Sequence, residues 1–484
     1  MKRYIAILLC VFFGLNASLY AEYSLTLAEA LKCAIANNEL INAAAKTKEV
    51  SEYHLKSARG KHYPNVYVEG SVNKINDSIS LNLNDARSAV IGASVASFQA
   101  ATTYSGGGTP PPDPVVAGFK QQLEQAIPDF SMKFQDDLFY KLTAAVVWPL
   151  YTGGKIAANS QAKKAELAIS EMEYTKTLNS TITSVIESYF RAKLAQEARN
   201  IRQDYLDDII QHNDNAEKLF KVGMISRTNK LRAEVALADA TREYQKSERD
   251  LELALVVLSN IIGVELDKVN LITDFKKIDY VREADYFKDV AYSNNITLKD
   301  MQQKKEMLNQ KKKAIKGNFL PTVAAFGKYE IYKDDLTLFE PEWVAGLNAR
   351  LDIFKGGEDY DEYKAYSKQV EVLDLYIQNA NKMIDTAVQK YHHEAQAALE
   401  QYESLKSSQD LTEENLNLYK KSFKEGLATS IEVIDAELAL EKVRLEQSQA
   451  LFDFNVAYAK LMDICGNSQI LMDNIIGETE NNEK

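Results

Sequence analysis

The chain has 484 residues, and its 57 Lys and Arg residues against 69 Asp and Glu residues give a formal net charge of −12. This acidic balance argues against nucleic acid, or an anionic membrane surface, as the main partner. The 3 cysteines are too few for a disulfide scaffold or a four-thiolate metal site. We expect neither a metal nor a cofactor.

Residues 1–21 are predicted to be a secretory signal peptide. Lys2 and Arg3 supply a positive start, an apolar stretch follows, and small residues lead to Ala21. A lipoprotein signal ending at Cys10 is the alternative, but Leu9 is bulky where that signal has a small residue. No uninterrupted apolar run of roughly 18 residues follows the signal, so no transmembrane helix is predicted and a membrane role would need strands.

The rest of the sequence contains two copies of one unit. Asn37-Asn38 followed by Pro64 matches Asn294-Asn295 followed by Pro321, at an offset of 257 residues. Further along the offset is 203 residues, and the matched pairs are Gly153 with Gly356, Gly223 with Gly426, and Gly263 with Gly466. The change of offset, 257 minus 203, locates 54 extra residues between Pro64 and Gly153.

The duplication predicts two structural repeats, residues 22–275 and 276–466, followed by an acidic C-terminal tail, residues 467–484. In each repeat a proline ends an initial helix and makes the chain extended. Two strands with alternating apolar residues, a long helix and a return helix then follow. The predicted ranges are 63–74, 139–151, 155–222 and 226–262 in the first repeat, and 320–332, 343–354, 358–425 and 429–465 in the second.

The extra residues of the first repeat lie between its two strands, in residues 75–138. This segment contains Gly106-Gly107-Gly108 and Pro110-Pro111-Pro112, which is a composition typical of loops. Because the long loops of membrane barrels lie on the outer side, we expect residues 75–138 to be an extracellular loop.

The long helices contain neither Pro nor Gly, so each would measure ~100 Å if continuous. Leu178, Ile182, Val185 and Tyr189 are separated by four, three and four residues, which is the spacing of a coiled coil. Gly223 and Gly426 end the two long helices and are predicted to form the turns into the return helices.

The strands place apolar residues on one face, as Val66, Val68 and Val72 do. Such a pattern is typical of half a soluble sandwich or of a membrane barrel. An exported chain with single hairpins between long helices offers no second sheet, which favours a lipid-facing side and a wet lumen. Trp343 and Tyr140, at the strand starts, suit an interfacial aromatic belt. Four strands are too few to close a barrel, which needs about eight, so the chain would have to oligomerise.

The doubled order of these motifs resembles the TolC family of outer-membrane efflux proteins. The resemblance is carried by the pre-strand prolines, by Asn38-Glu39-Leu40, by Tyr151-Thr152-Gly153-Gly154 and Phe354-Lys355-Gly356-Gly357, and by the two Phe-Lys-x-Gly helix breaks. It implies a mainly α fold with a small membrane β-barrel, in which a homotrimer forms a twelve-stranded barrel continued by a helical tunnel in the periplasm.

The resemblance also implies a function, namely the passive exit duct of a tripartite efflux or type I secretion system. The implied partners are a periplasmic adaptor protein, an inner-membrane pump and outer-membrane lipid. A wide passive tunnel recognises little, so we expect the pump to select the substrate.

At the periplasmic entrance, Glu432 and Asp435 match acidic entrance residues of the family. Their i, i+3 spacing places both on one helix face, and a trimer would bring six carboxylates around one axis and favour cations. A solvated helix face is the alternative.

The family's acid-to-arginine link cannot form, because the corresponding positions are Asn229 and Ala428. We therefore hypothesise that Arg227 or Arg232 pairs with Glu432 or Asp435; the complete predicted gate comprises Arg227, Thr228, Asn229, Arg232 and Phe423.

Enzyme motifs are incomplete in this sequence. Thr152-Gly153-Gly154-Lys155 lacks the earlier glycine and the following hydroxyl of a phosphate loop. His392 and His393 are adjacent on a helix and diverge by roughly 100°. We predict no catalytic residue and no enzymatic activity. The alternatives to a channel are a trimeric coiled-coil adhesin, a periplasmic adaptor or, third, a soluble periplasmic enzyme. Fractionation distinguishes them because only the channel requires detergent extraction. A disulfide between Cys33 and Cys465 is a further hypothesis, with two thiols as its alternative.

Overall fold

The computed structural model describes residues 23–266, 269–277, 281–337 and 339–482. The predicted signal peptide, residues 1–21, lies outside these ranges. The helices are α1 (Leu27–Asn37), α2 (Glu39–Gly60), α3 (Asn84–Ser105), α4 (Asp113–Ala126), α5 (Lys155–Lys221), α6 (Arg227–Ile262), α7 (Ala284–Asn294), α8 (Ile296–Lys316), α9 (Glu358–Lys424), α10 (Ser430–Ile464) and α11 (Ser468–Asn482). The strands are β1 (Tyr23–Leu25), β2 (Asn65–Lys74), β3 (Ile79–Asn82), β4 (Ser131–Gln135), β5 (Leu138–Tyr151), β6 (Val269–Leu271), β7 (Thr322–Glu330) and β8 (Trp343–Arg350).

The chain forms two compact units. We call residues 56–160 and 310–364 the sheet unit, and the remaining described residues the helical unit. Among the described residues, no helix is both long enough and apolar enough to cross a bilayer.

The sheet unit is built on a four-stranded antiparallel sheet with the order β2-β5-β7-β8. Val66 lies opposite Val146, Val147 opposite Phe326, and Phe326 opposite Gly346. Both predicted hairpins are therefore present, with β8 ending at Arg350 instead of near residue 354. The strands β2 and β8 lie at the two edges of this sheet.

The internal duplication is confirmed by backbone geometry. Each glycine pair at the offset of 203 residues has positive φ in both copies, as in Gly153 with Gly356 and Gly263 with Gly466. At the offset of 257 residues, the side chains of Asn38 and Asn295 accept hydrogen bonds from the backbone N–H groups of Ile41 and Leu298. The two asparagines thus cap the second helix of each repeat in the same way.

The extra residues of the first repeat are not the simple loop that their composition indicated. They contain the helices α3 and α4 and a two-stranded antiparallel sheet of β3 and β4. The rings of Phe98 and Phe119 stack with centroids 4.2 Å apart and join the two helices. The Gly and Pro clusters occupy only the connection between α3 and α4, so the prediction of a loop over residues 75–138 is corrected.

The acidic tail also forms a helix, α11. Leu471, Met472 and Ile476 pack against the main core of the helical unit, and Ile475 is part of it. These apolar residues recur at helical spacing among acidic ones, so composition concealed an amphipathic helix.

The helical unit has its main core where α1, α5, α6 and α10 meet. Ile182, Val185 and Tyr189, from the predicted coiled-coil stripe of α5, are fully buried there. The Tyr189 hydroxyl donates to the Leu25 carbonyl oxygen at 2.8 Å and accepts from the Thr273 backbone N–H at 3.0 Å. This side chain therefore ties the parallel pair of strands β1 and β6 to α5, a contact that spacing alone did not predict.

The hypothesis of a Cys33–Cys465 disulfide is wrong, because neither cysteine is in a disulfide. Cys33 packs against the main core, whereas Cys465 is buried in a second cluster with Phe287 and Ala291. Burial raises the pKa of the Cys465 thiol to about 12, so this side chain stays protonated and unreactive in the folded chain.

Candidate functional site

The candidate site consists of the two turns that join the long helices to the return helices. In the first, Gly223 has φ +79°, and the Met224 N–H donates to the Leu219 carbonyl oxygen at 2.9 Å. In the second, Gly426 has φ +74°, and the Leu427 N–H donates to the Ser422 carbonyl oxygen at 2.9 Å. Both turns need a residue that tolerates the left-handed region, and glycine provides it in each.

Glu432 lies in the first turn of α10 and caps its own helix. Its carboxylate accepts from the Thr429 N–H at 2.6 Å and from the Thr429 hydroxyl at 2.7 Å. These hydrogen bonds, the backbone one most strongly, lower the pKa of Glu432, so the side chain is ionised. The Thr-x-x-Glu pattern of a capping box was readable in the sequence, although Glu432 was predicted only as a member of the acidic ring.

Asp435 and Glu432 are both exposed at the start of α10. They lie one helical turn apart, as the spacing predicted. Two carboxylates at the surface of one turn are an arrangement that attracts cations when copies of the chain surround one axis.

The basic residues of the predicted gate lie at the start of α6. Arg227, Thr228 and Arg232 are exposed, and Asn229 is half-buried. Within the described part of a single chain, no ion pair joins Arg227 or Arg232 to Glu432 or Asp435. The single chain therefore brings the carboxylates and the arginines to neighbouring turns without pairing them.

Phe423, the remaining residue of the predicted gate, is buried and 2% exposed. It packs with Ala216, Ala233 and Val433, and its ring centroid lies 4.7 Å from that of His212. In the single chain Phe423 fixes the two turns side by side, and its side chain does not line a surface.

A buried polar cluster that was not predicted from the sequence lies next to these turns. Lys420 Nζ, on α9, lies 2.6 Å from Glu437 Oε1 on α10 and 3.0 Å from Asp208 Oδ2 on α5. Glu437 is only 2% exposed. The lysine thus links three helices through two carboxylates, one of which has no access to water.

Burial raises the pKa of Glu437 to about 7, against the lowering effect of Lys420, and the charge of Asp208 raises it further. The two carboxylates raise the pKa of Lys420, although its burial works in the opposite direction. The cluster therefore contains a permanent cation beside a carboxyl group that changes charge near neutral pH.

His212 extends the cluster towards the second turn. Its Nε2 lies 2.7 Å from the hydroxyl oxygen of Ser430, the first residue of α10. Burial, together with the charge of Lys420, lowers the pKa of His212 to about 4. His212 is thus a neutral side chain that holds the start of α10 against α5.

A sequence signal for this cluster exists. Val433, Ala436 and Leu440 form the buried apolar stripe of α10, and Glu437 lies within the stripe. A carboxylate on such a face indicates a buried partner. The matching residue of the first repeat, Glu234, instead forms an i, i+4 ion pair with Lys230 at 3.2 Å, so the Lys420–Glu437 pair has no counterpart there among the described residues.

The described residues contain no group of three or more His, Cys, Asp and Glu side chains arranged to hold a metal ion. His392, considered above with His393, bonds through Nε2 to the Arg282 carbonyl oxygen at 2.8 Å. The chemistry of the site is therefore that of charged groups at helix turns.

Comparison with known proteins identifies a matching family and a relative. Residues 131–264 and 289–467 match the family described as outer membrane efflux protein. The alkaline protease secretion protein AprF of Pseudomonas aeruginosa is 20% identical over 315 residues, which span 62% of this chain and 64% of that relative.

Solved structures share the fold. The CmeC outer membrane channel of Campylobacter jejuni superposes with a TM-score of 0.68 at 14% identity, over 96% of this chain and 94% of that one. The MtrE outer membrane channel of Neisseria gonorrhoeae, in its open state, gives a TM-score of 0.68 at 14% identity, over 91% of this chain and 89% of that one. The outer membrane protein VceC of Vibrio cholerae gives a TM-score of 0.68 at 14% identity, over 91% and 96%.

Proposed function

Because this chain belongs to the outer membrane efflux protein family, we propose that it is the exit duct of a tripartite efflux or type I secretion system in the outer membrane. In this role the chain performs no chemistry. It forms a passive path through which substrates, delivered by a pump and an adaptor protein, cross the periplasm and the outer membrane. The relative AprF, whose name refers to protease secretion, supports the inclusion of protein export among the candidate roles.

The observation that carries this proposal is the open four-stranded sheet. Its edge strands β2 and β8 have neighbours on one side only. Most large apolar side chains of these edge strands are exposed, among them Val66, Val68 and Leu347. A sheet in lipid cannot leave its edge N–H and C=O groups unpaired. Three chains pairing β8 of one with β2 of the next would close a twelve-stranded barrel and satisfy both edges.

Cysteine crosslinking tests this trimer directly. In a background without native cysteines, a cysteine at Ser71 of β2 is combined with single cysteines scanned along β8 from Val344 to Ala349. We expect at least one pair to give chains covalently linked as trimers in native membranes. A cysteine at Lys328 of the interior strand β7 is the matched control and should not link chains. Absence of linkage at every β8 position would exclude the pairing.

For the entrance, we propose that Glu432 and Asp435 of three chains form a ring that favours cations. Arg227 and Arg232 of a neighbouring chain would pair with these carboxylates and hold the entrance closed. The support is the exposure of all four side chains at neighbouring turns, together with the lack of pairing among them in the described residues of one chain. Such exposed pairs are individually weak because solvent screens them, which suits a gate that must open.

The proposed partners are a periplasmic adaptor and an inner-membrane pump. Crosslinking in the native cell, followed by purification of the trimer, should recover both. The exposed turn residues Val222, Met224 and Leu427 offer apolar contacts for the adaptor at the same turns. Recovery of the adaptor should fall when Leu427 is changed to Asp, whereas Leu411→Asp, on the exposed face of α9, is the control.

A further inference from the structure

Two helix ends in the sheet unit carry matching exposed cations. Lys56 and Arg59 lie in the last turns of α2, and Lys313 and Lys316 occupy the same positions of α8 at the offset of 257 residues. All four side chains are exposed. Their i, i+3 spacing places each pair on one helix face. The cations are therefore a feature of both copies of the unit.

Acidic residues are sparse beside these charges in the sequence, although Glu52 lies four residues before Lys56 on α2. From His54 to Val68 and from Lys311 to Tyr329 there is neither Asp nor Glu, while Lys61, Lys311 and Lys312 add further positive charge. Lys312 and Lys316 also lie over the ring of Tyr363, at 4.9 and 5.4 Å from its centroid. We call Lys56, Arg59, Lys313 and Lys316 the cationic collar.

The collar lies at one end of the four-stranded sheet. α2 leads directly into β2, and α8 leads into β7. The register pairs Thr322 at the start of β7 with Arg350 at the end of β8, and Val323 with Tyr151 at the end of β5. All four strands therefore join helices at this end, which we call the helical end.

Large apolar side chains accompany the collar at the helical end. Tyr63 and Phe319 are exposed, and Ile353 and Phe354 are 91% and 84% exposed. The Trp148 indole N–H donates to the His62 carbonyl oxygen at 3.1 Å. Exposed aromatic residues beside lysine and arginine are the composition of a membrane–water interface.

The opposite end of the sheet has the reverse charge. Asp136, Asp137, Asp334, Asp335 and Glu342 cluster there, and Lys141 and Lys333 pair with Glu340 and Glu342. The net charge of the whole chain thus conceals the local positive charge of the collar, although the first turn of α9 brings Glu358, Asp359 and Asp361 to the same end of the sheet.

We propose that the cationic collar binds the headgroups of anionic phospholipids in the leaflet at the helical end of the sheet. The proposal rests on the proposed function, because it requires the sheet to lie in a membrane. Lysine and arginine near an anionic leaflet each strengthen attachment by roughly fivefold. Cations in the last turn of a helix also complement its dipole, but that effect requires neither exposure nor neighbouring exposed aromatics.

The two tryptophans of the chain provide the test, because Trp148 lies near the helical end and Trp343 lies at the opposite end. The full-length protein is reconstituted in phosphatidylcholine vesicles that contain a small fraction of brominated phosphatidylglycerol, which quenches nearby tryptophan. Trp343→Phe reports on the helical end, and Trp148→Phe reports on the other end. Quenching by brominated phosphatidylcholine, which carries no net charge, measures how far each tryptophan contacts lipid regardless of headgroup charge.

We expect brominated phosphatidylglycerol to be enriched at least fivefold over its bulk fraction around Trp148, with no enrichment around Trp343. Raised salt should remove the enrichment. The quadruple change Lys56→Gln, Arg59→Gln, Lys313→Gln and Lys316→Gln should also remove it, whereas arginine at the three lysine positions should retain it. A matched control removes four exposed cations of the helical unit: Lys246→Gln, Arg249→Gln, Lys382→Gln and Lys390→Gln.

Equal quenching by the two brominated lipids around Trp148 of the otherwise unchanged protein would overturn the collar proposal and leave the proposed function intact. No quenching of either tryptophan by brominated phosphatidylcholine would instead show that the sheet is not in lipid, and both proposals would fail. The comparison of the two brominated lipids uses protein whose collar is unchanged. Its result therefore does not depend on whether the quadruple variant folds.

Discussion

Lys420 on α9 and Glu437 on α10 form an ion pair of 2.6 Å in which the carboxylate is buried. Asp208 of α5 shares the same lysine at 3.0 Å. Three long helices are therefore joined by one cation, close to the turns where the entrance is proposed. A buried carboxylate that loses its cation is left without compensation for its lost hydration.

Lys420→Met should therefore loosen α10 from α5 and α9. The removal of one partner of a buried pair typically costs about 3–5 kcal/mol, and partial exposure of Lys420 places this case near the lower value. Hydrogen exchange of residues 430–440 should accelerate accordingly. Lys421→Met, at the exposed neighbouring position, is the control and should leave exchange unchanged. Equal protection in the two variants would contradict the structural role of the pair.

The pH dependence of the same segment follows from Glu437. Its folded-state pKa is raised from 4.5 to about 7, so the stability contributed by the protonated form is complete below 4.5 and is lost as pH rises through about 7. For His212 the pKa is lowered from 6.5 to about 4, so its contribution is lost as pH falls towards 4. In the folded chain, Glu437 changes charge between pH 6.5 and 8, whereas His212 does not.

We expect the contribution of Glu437 to make local opening of residues 430–440 about fourfold more favourable from pH 6.5 to pH 8, after correction for intrinsic exchange rates. Glu437→Gln should abolish most of this dependence, because the amide keeps the shape of the protonated side chain. The control is Glu425→Gln, in the exposed second turn. A dependence that survives Glu437→Gln would assign the titration to another group.

The insertion of the first repeat should be cut at one place. Residues 106–112, between α3 and α4, are nearly all exposed and include Gly107 and Gly108, both with positive φ. Protease added to intact cells should cleave there first, because the flanking helices and the β3–β4 sheet are ordered. Cleavage in α5 or α9 instead, with the insertion protected, would contradict the expectation that the insertion lies on the outer side of the cell.

The proposed gate predicts a gain of conductance. Arg232→Glu should place a carboxylate beside the acidic residues of a neighbouring chain and favour the open entrance. Single-channel recording should show raised conductance for this variant, whereas Arg242→Glu, further along α6, should behave as the unchanged protein. If the two variants conduct equally, Arg232 does not hold the entrance closed.

The architecture was readable from the sequence because glycine and proline mark its boundaries. Pro64 and Pro321 precede β2 and β7, and the positive-φ glycines Gly223 and Gly426 follow the long helices within two residues. These residues act locally, so their effect does not depend on the rest of the fold.

Contacts between distant segments were not readable. The position of Glu437 in the apolar stripe of α10 indicates a buried partner, but nothing in the spacing identifies Lys420 and Asp208, because the three residues meet only when three helices pack. The helix α3 was missed because Gly and Pro clusters beyond its end dominated the composition of the insertion. The role of Glu432 as a helix cap was readable but was overlooked in favour of the family pattern.

The most direct test of the account is ion selectivity in planar bilayers. The purified protein should insert as stable pores whose reversal potential in a potassium chloride gradient indicates preference for cations. Glu432→Gln with Asp435→Asn should lower that preference, whereas Glu413→Gln with Glu414→Gln, at exposed positions of α9, should not. Pores with unchanged selectivity after loss of both carboxylates would contradict the proposed entrance ring. Failure of the protein to form pores would contradict the proposed exit duct itself.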